Sequence, residues 1–319
     1  MKEIKKIAVI GAGTMGHGIA QTYAAAGYNT VVIDSFEQAL ITANKLVSKN
    51  IKTLLNAGYI SEEEALNTEK NLKYSNDIMD ARDADLVVEA VPEKPEIKVD
   101  VFSKLSEICA PDAILTSTTS AMNVYAVVSS VVQNPERILI THFNNPSYII
   151  PLVEIVAGPN SSKELIKQMR DLIESIGKSP VVLNQYIPGF IVNRLSAALL
   201  REASYMVEQG WVTEEDVDTA FSANQGLKAP FEGPLELMDY IGWDVAYGVG
   251  KIIYPFLNSS TEPAKLAGKM IQEGRLGIKS GKGLFDYTGV DRAELQAIRD
   301  ERVLQIAKLA KEIKKEKSK

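Results

Sequence analysis

At 319 residues the chain is long enough for two domains. Hydrophobic residues make up 45% and charged residues 24%, ordinary for a globular protein, and a net charge of −6 (35 − 41) offers no basic field to nucleic acid. No apolar run reaches the roughly 18 residues of a membrane span, no signal peptide is expected before the first apolar stretch, and the one cysteine, Cys109, excludes an intramolecular disulfide, so a reducing cytoplasm is the expected location.

The stretch Ile7 to Asp34 organises the chain. Ile7–Ile10 is a short apolar, β-branched run, as a buried parallel strand should be. Gly11, Gly13 and Gly16 follow in G-x-G-x-x-G spacing, with Thr14 and Met15 between the last two. The first glycine allows a tight turn, the second lets backbone approach a pyrophosphate, and the third lets a helix pack on the strand. A helix from about Thr14 to Ala26 points its free N–H groups at the phosphates. Val31–Ile33 is the next strand. Asp34 ends it, 21 residues past Gly13 (34 − 13), where a carboxylate accepts ribose hydroxyls and repels a 2′-phosphate. The expected cofactor is therefore NAD rather than NADP. His17 lies inside the glycine-rich helix start and is expected to face phosphate or solvent.

Phe36 to Ala57 has apolar residues at helical spacing, and Gly58 breaks it. Ser61 stands three residues before Glu64, the capping-box arrangement for another helix. The pair is an inserted helical hairpin. Its Lys45, Lys49 and Lys52 either lie near an anionic ligand or form a solvated face, and the second reading is preferred. Asp85–Val91 is a buried strand closed by Pro92, with Glu93 at its carboxyl edge, where ligands bind in open parallel sheets. Glu96–Cys109 reads as a helix. Cys109 is expected to be a small buried hydrophobe, since no basic group adjoins it. Ala113–Leu115 is a strand followed by T-S-T-T-S, closing at Ser120, and Met122–Val132 a helix. Arg137–Thr141 is a strand delivering His142-Phe143-Asn144-Asn145-Pro146. Leu152–Ala157, Lys163–Ile176 and Pro180–Leu183 read as strand, helix and strand.

Strand and helix alternate to about residue 184, then the strands stop. Helices are expected over Gly189–Gln209, Thr213–Ala223 (capped by Thr213), after Gly233-Pro234, and over Trp243–Tyr254. Near the C-terminus Val303, Ile306, Ala310 and Ile313 fall at helical spacing, reading as an amphipathic helix. The expected fold class is α/β: a Rossmann-type doubly wound sheet with an inserted helical hairpin, then an all-α domain. The expected divisions are 1–184, 185–290 and an extension over 291–319. The long apolar helices of the second half suggest a homodimer.

A nicotinamide enzyme acting on an alcohol needs a base for the hydroxyl proton, a group that orients the base, and donors that hold the oxygen. With two histidines in the chain, and His17 in the glycine loop, His142 is the candidate base. Glu154 is on the next strand, 12 residues on (154 − 142), where a carboxylate would fix the imidazole tautomer. Ser120 ends the preceding strand, Asn145 lies just behind His142, and Asn193 sits near the start of the long helix. No metal site is expected.

Seven motifs occur in the order of one family: V-I-G-A-G-T-M-G-H-G-I-A, D-L-V-V-E-A-V-P-E-K, H-F-N-N-P, P-L-V-E-I-V, P-G-F-I-V-N-R, G-P-L-E-L-M-D-Y-I-G and G-R-L-G-I-K-S-G-K-G-L-F-D-Y. From Lys6 to about Tyr287 the chain resembles the L-3-hydroxyacyl-CoA dehydrogenase family. The resemblance implies a Rossmann-type domain followed by a helical dimerisation domain. It implies His142 as acid/base, Glu154 as its partner, and Ser120, Asn145 and Asn193 around the substrate oxygens. Asp34, Ala90, Glu93 and Lys98 match cofactor-contacting positions. The implied reaction is oxidation of a 3-hydroxyl to a 3-keto group, or the reverse, in the setting of fatty acid metabolism.

Two departures bear on the substrate. The family usually has Asn-Thr-Ser where this chain has Thr118-Thr119-Ser120, and the second aromatic of H-F-F-N-P is Asn144. With Pro151-Leu152-Val153-Glu154 and the extension beyond Tyr287, these resemble relatives that oxidise free 3-hydroxy acids, such as L-gulonate 3-dehydrogenase (lambda-crystallin) and carnitine dehydrogenase. Gly281-Lys282-Gly283 and the lysine-bearing hairpin resemble the acyl-CoA enzymes, and a CoA thioester is the first expectation. A structural protein on the same scaffold is the reading from a different class; the His142–Glu154 pair argues against it.

Overall fold

The computed structural model describes residues 3–317. Met1 and Lys2, which lead into the first strand, and Ser318 and Lys319, the end of the expected extension, lie outside the described residues. The chain forms two compact units, Met1–Asn193 and Arg194–Lys319.

In the first unit β1 (Lys6–Ile10), α1 (Gly16–Ala25) and β2 (Asn29–Ile33) make the opening βαβ element. The helical hairpin α2 (Glu37–Asn56) and α3 (Glu62–Asn71) leads into β3 (Leu72–Ser75). Then follow β4 (Leu86–Glu89), α4 (Pro95–Ile108), β5 (Ile114–Ser117), α5 (Val124–Val128) and β6 (Ile138–Phe143). β7 (Leu152–Val156), α6 (Lys163–Ser175) and β8 (Ser179–Leu183) complete the sheet, and α7 (Val192–Glu208) follows it.

The eight strands lie in the order β3-β2-β1-β4-β5-β6-β7-β8. Chain order reverses between β1 and β4, the switch point of a doubly wound sheet, so the crevice at their carboxyl ends is the ligand position. Every neighbouring pair is parallel except β6 and β7, which run antiparallel. Successive side chains of a strand point to opposite faces. Ile7 and Val9 accordingly join one buried cluster, under α1 and α6, while Ala8 and Ile10 join another, under α4 and α5. A strand buried on both faces needs an apolar run, which I-A-V-I of β1 and L-V-V of β4 supply. A third, smaller cluster of Val47, Ile51 and Ala65 holds the hairpin together. The Ser61 hydroxyl accepts from Glu64 N at 3.1 Å and Glu64 Oε2 accepts from Ser61 N at 2.7 Å, closing the expected capping box.

Several elements differ from expectation, among them β3, α5 and the start of α7. β3 is an additional strand with little apolar signal, N-L-K-Y-S, because it is the outer strand of the sheet and only half-buried. The helix expected over Met122–Val132 is a short turn, α5. The long helix begins at Val192 rather than Gly189, since Gly189 (φ 79°) and Phe190 (φ 51°) are left-handed and cannot be helical.

The second unit consists of helices: the greater part of α7, then α8 (Glu214–Ala223), α9 (Gln225–Lys228), α10 (Pro234–Ile241), α11 (Trp243–Ile253), α12 (Lys265–Gln272) and α13 (Arg292–Lys317). Thr213 caps α8 by accepting from Asp216 N at 3.1 Å. Among the described residues of α7 to α12 only Gly250 is buried. Trp211, Trp243, Tyr247, Ile252, Tyr254 and Phe256 are all exposed. No helix among the described residues is long and apolar enough to cross a membrane.

Candidate active site

The glycine turn is shaped by contact. Gly11 has φ 105°, and a Cβ on Gly16 would meet the Gly11 carbonyl oxygen at 1.8 Å, so α1 packs directly on the turn. A Cβ on Gly13 would meet nothing within 4 Å, which leaves the approach to its backbone open. The first turn of α1 has no acidic side chain and no side-chain cap, so its positive end is available to an anion. Asp34 Oδ2 accepts from Ala12 N at 2.8 Å and Oδ1 from Phe36 N at 2.9 Å. Those bonds aim the carboxylate along the turn and leave each oxygen a lone pair for a ribose hydroxyl.

A cleft of about 1020 Å³ runs over this turn. Asp34 and Phe36 line one end, Gly11, Gly13, Thr14 and Met15 the middle, and Ala90, Glu93, Lys98, Thr118 and Ser120 the other. Its size suits a dinucleotide. Gly16 stands behind the turn, and His142, Glu154, Asn145 and Asn193 lie outside this lining.

At the far end a lysine is buried among acids. Lys98 Nζ donates at 2.8 Å to each oxygen of Glu89 and lies 3.1 Å from Glu93 Oε2. Ser117 Oγ donates to Glu89 Oε2 at 2.6 Å, and Thr119 Oγ1 donates to Glu93. Burial pushes the Glu93 carboxyl up, but the Thr119 hydroxyl and Lys98 outweigh it and hold it below the usual carboxylate range. Glu89 is absent from the expected site residues. The signal for it was its charge in the middle of the buried run D-L-V-V-E-A-V, since a charge there requires a partner.

His142 and Glu154 are directly opposite in the β6–β7 register. His142 Nδ1 is 2.8 Å from Glu154 Oε2. The other oxygen, Oε1, accepts from Ile191 N at 2.7 Å and Val192 N at 3.2 Å. Burial alone would raise the Glu154 carboxyl, but the bonds from His142 and the two amides hold it below the usual range. The carboxylate therefore stays ionised and holds the proton on His142 Nδ1, turning Nε2 into the free nitrogen. Phe190, fully buried with φ 51°, packs its ring 5.3 Å from the imidazole. It too was not expected from the sequence.

Asn193 Nδ2 donates to the Ser120 carbonyl at 2.9 Å, so these two expected residues meet. Asn145 is exposed and precedes the cis Asn145–Pro146 peptide. The turn beyond it is fastened from two sides: Lys178 Nζ donates to the carbonyls of Ser147 and Ile150, and Tyr59 of the hairpin to that of Ile149. His17 corrects an expectation. It does not face solvent: it is buried, Nδ1 donates to the Gly13 carbonyl at 2.8 Å, and burial lowers its pKa. Cys109 is buried, which pushes its thiol up to about 11.

Residues 6–186 match the family model described as 3-hydroxyacyl-CoA dehydrogenase, NAD binding domain, and residues 189–287 match that family's C-terminal domain. The chain is 35% identical over 308 residues to 5-formyl-3-hydroxy-2-methylpyridine 4-carboxylate 5-dehydrogenase of Mesorhizobium japonicum, covering 96% of this chain and 98% of that one. It is 35% identical over 286 residues to a probable 3-hydroxybutyryl-CoA dehydrogenase of Bacillus subtilis, covering 89% of this chain and 98% of that one. A crystal structure of a 5-formyl-3-hydroxy-2-methylpyridine 4-carboxylic acid 5-dehydrogenase, described as an NAD+-dependent dismutase, superposes with a TM-score of 0.90 at 34% identity, covering 97% of this chain and 99% of that one. With both domains matched and the glycine turn, Asp34 and cleft in place, the chain belongs to the 3-hydroxyacyl-CoA dehydrogenase family and is an NAD-dependent oxidoreductase.

Proposed function

We propose that the protein oxidises the 3-hydroxyl of an L-3-hydroxyacyl-CoA to the 3-keto group, and catalyses the reverse, with His142 and Glu154 as its acid-base pair. The observation that carries this is the 2.8 Å bond between His142 and the buried, ionised Glu154. His142 Nε2 takes the hydroxyl proton, and Glu154 stabilises the imidazolium that results. NAD, bound over the glycine turn, supplies the acceptor for the hydride leaving C3. Gly11, Gly13, Thr14, Met15 and Gly16 form the phosphate cradle, Asp34 takes the adenosine ribose, and Ala90, Glu93, Lys98, Ser120 and Asn145 surround the other end. Ser120, Asn145 and Asn193 hold the substrate oxygens.

A CoA thioester is supported by the family and by the face of α2 where Lys45, Lys49 and Lys52 surround a concave patch with Asn44, Ser48 and Asn56. These would offer charge to a nucleotide phosphate. A free hydroxy acid, such as L-gulonate or L-carnitine, is the second reading. What supports it is the match to the Mesorhizobium enzyme, whose name gives a free carboxylate bearing a formyl group rather than a thioester, and which takes in 96% of this chain where the Bacillus match takes in 89%. Initial rates at 340 nm with L-3-hydroxybutyryl-CoA, L-gulonate and L-carnitine separate the two. Turnover of a free acid with none of the thioester would overturn the first reading, and inactivity on all three would overturn both.

We further propose that residues 1–184 bind the cofactor, that 185–290 bind substrate and dimerise, and that 291–319 form a helical extension. The exposed aromatic residues of the second unit support a homodimer, since a monomer rarely leaves so much apolar surface to water, and the single cysteine supports a place in the reducing cytoplasm. Light scattering is expected to give twice the chain mass; a monomer would refute the dimer.

A further inference from the structure

The acid–lysine cluster at the far end of the cleft has a net charge that the proton chemistry does not use. Asp34 ends β2 and the glycine turn follows β1, so a dinucleotide whose adenosine ribose rests on Asp34 crosses the switch point toward β4 and β5. Its nicotinamide half then lies beside Glu93 and Lys98, which line that end. Behind them is Glu89, wholly buried at the end of β4. Two carboxylates and one ammonium sum to a formal charge of −1. Lys98 is 1% exposed and its ammonium is already shared among Glu89, Glu93 and, at 3.5 Å, Ser117. Three donor hydrogens are thereby engaged within the protein, and none is left to turn toward a ligand while the cluster is intact.

We propose that Glu89 is a positioning residue that fixes Lys98 and Glu93 and sets the cluster's charge, so that the site favours oxidised NAD, relative to NADH, more than a neutral cluster would. The oxidised nicotinamide ring carries a positive charge and the reduced ring carries none. A net negative cluster inside a low-dielectric wall therefore stabilises one redox form over the other, while contacts to ribose and phosphate serve both alike. A unit charge about 10 Å away, at an effective dielectric of about 20, alters relative affinity by roughly tenfold.

The test is direct binding, which needs no substrate and no turnover. NAD+ is titrated by calorimetry and NADH by its fluorescence, against the native protein and Glu89→Gln, which keeps the shape and brings the cluster to zero. The Kd for NAD+ is expected to rise roughly tenfold while that for NADH moves less than about twofold. The double variant Glu89→Gln/Lys98→Met restores a charge of −1 through Glu93 and is expected to return the ratio of the two Kd values toward native. A merely structural role for Glu89 predicts that both Kd values rise together and that the double variant is worse still; that result overturns the proposal, as does an unchanged ratio. If Glu89→Gln does not fold, Glu93→Gln is read in its place, because Glu93 sits at the open lip with a side chain 45% exposed. There a fall in the preference for NAD+ over NADH supports the proposal, and a constant ratio refutes it.

Discussion

His142 and Glu154 occupy facing positions of an antiparallel strand pair in a sheet whose other described pairings are all parallel. A slip of one residue in that register would send the two side chains to opposite faces. Their 2.8 Å bond is thus a product of strand pairing rather than of loop placement. His142→Gln and Glu154→Gln are each expected to lower kcat by roughly 10²- to 10⁴-fold. The Kd for NAD, measured by titration, should change less than about twofold in both. Full turnover in either variant would remove the pair from the mechanism.

The depressed Glu154 carboxyl gives a pH dependence of defined sign. Its folded pKa lies below that of the unfolded chain, about 4.3. The stabilisation it brings is therefore complete above the unfolded value and is lost as pH falls through the folded one. Thermal unfolding of the native protein and Glu154→Gln, followed from pH 7 to pH 3, should show a constant difference in Tm above about pH 5 and a narrowing one below about pH 4. A difference that widens on acidification would contradict the assignment.

Cofactor choice rests on Asp34. Replacing it with serine removes the charge that repels a 2′-phosphate and also the acceptor for Ala12 N. Asp34→Ser is expected to bind NADP at least tenfold more tightly than the native protein does, and NAD about tenfold less tightly, the loss of roughly one charged hydrogen bond. Fluorescence titration with NADH and NADPH measures both.

Gly13 and Gly16 should separate binding from folding. A methyl at Gly13 meets no protein atom within 4 Å but stands where the pyrophosphate approaches, whereas one at Gly16 collides with the Gly11 carbonyl. Gly13→Ala is expected to keep its Tm within about 2 °C and lose NAD affinity by more than tenfold. Gly16→Ala should lower the Tm itself by several degrees, the result of forcing α1 away from the turn.

The parts of this molecule that were legible in its sequence are those where one residue type has one physical use. Three spaced glycines, an acid at the end of the second strand and a Ser61–Glu64 cap each state their own geometry. The His142–Glu154 pairing followed from two strands and a count. Glu89 did not, because its partner Lys98 is nine residues away (98 − 89) on a helix, and only the packed fold brings them together. Phe190 was unreadable for a different reason: its left-handed backbone is imposed by the turn into α7, against the preference of a bulky residue. His17 misled through its neighbours. A histidine beside a phosphate loop suggests a ligand contact, whereas the ring turns back onto the Gly13 carbonyl.

Glu154 has a second attachment with a practical outcome. Its outer oxygen is bound by the amides of Ile191 and Val192, at the first turn of α7. Those two N–H groups are reporters of the carboxylate's ionisation. Their proton resonances should shift, and their protection from deuterium should fall, as the acid is neutralised. The state of the acid can in this way be followed in the resting protein, with neither substrate nor nucleotide added.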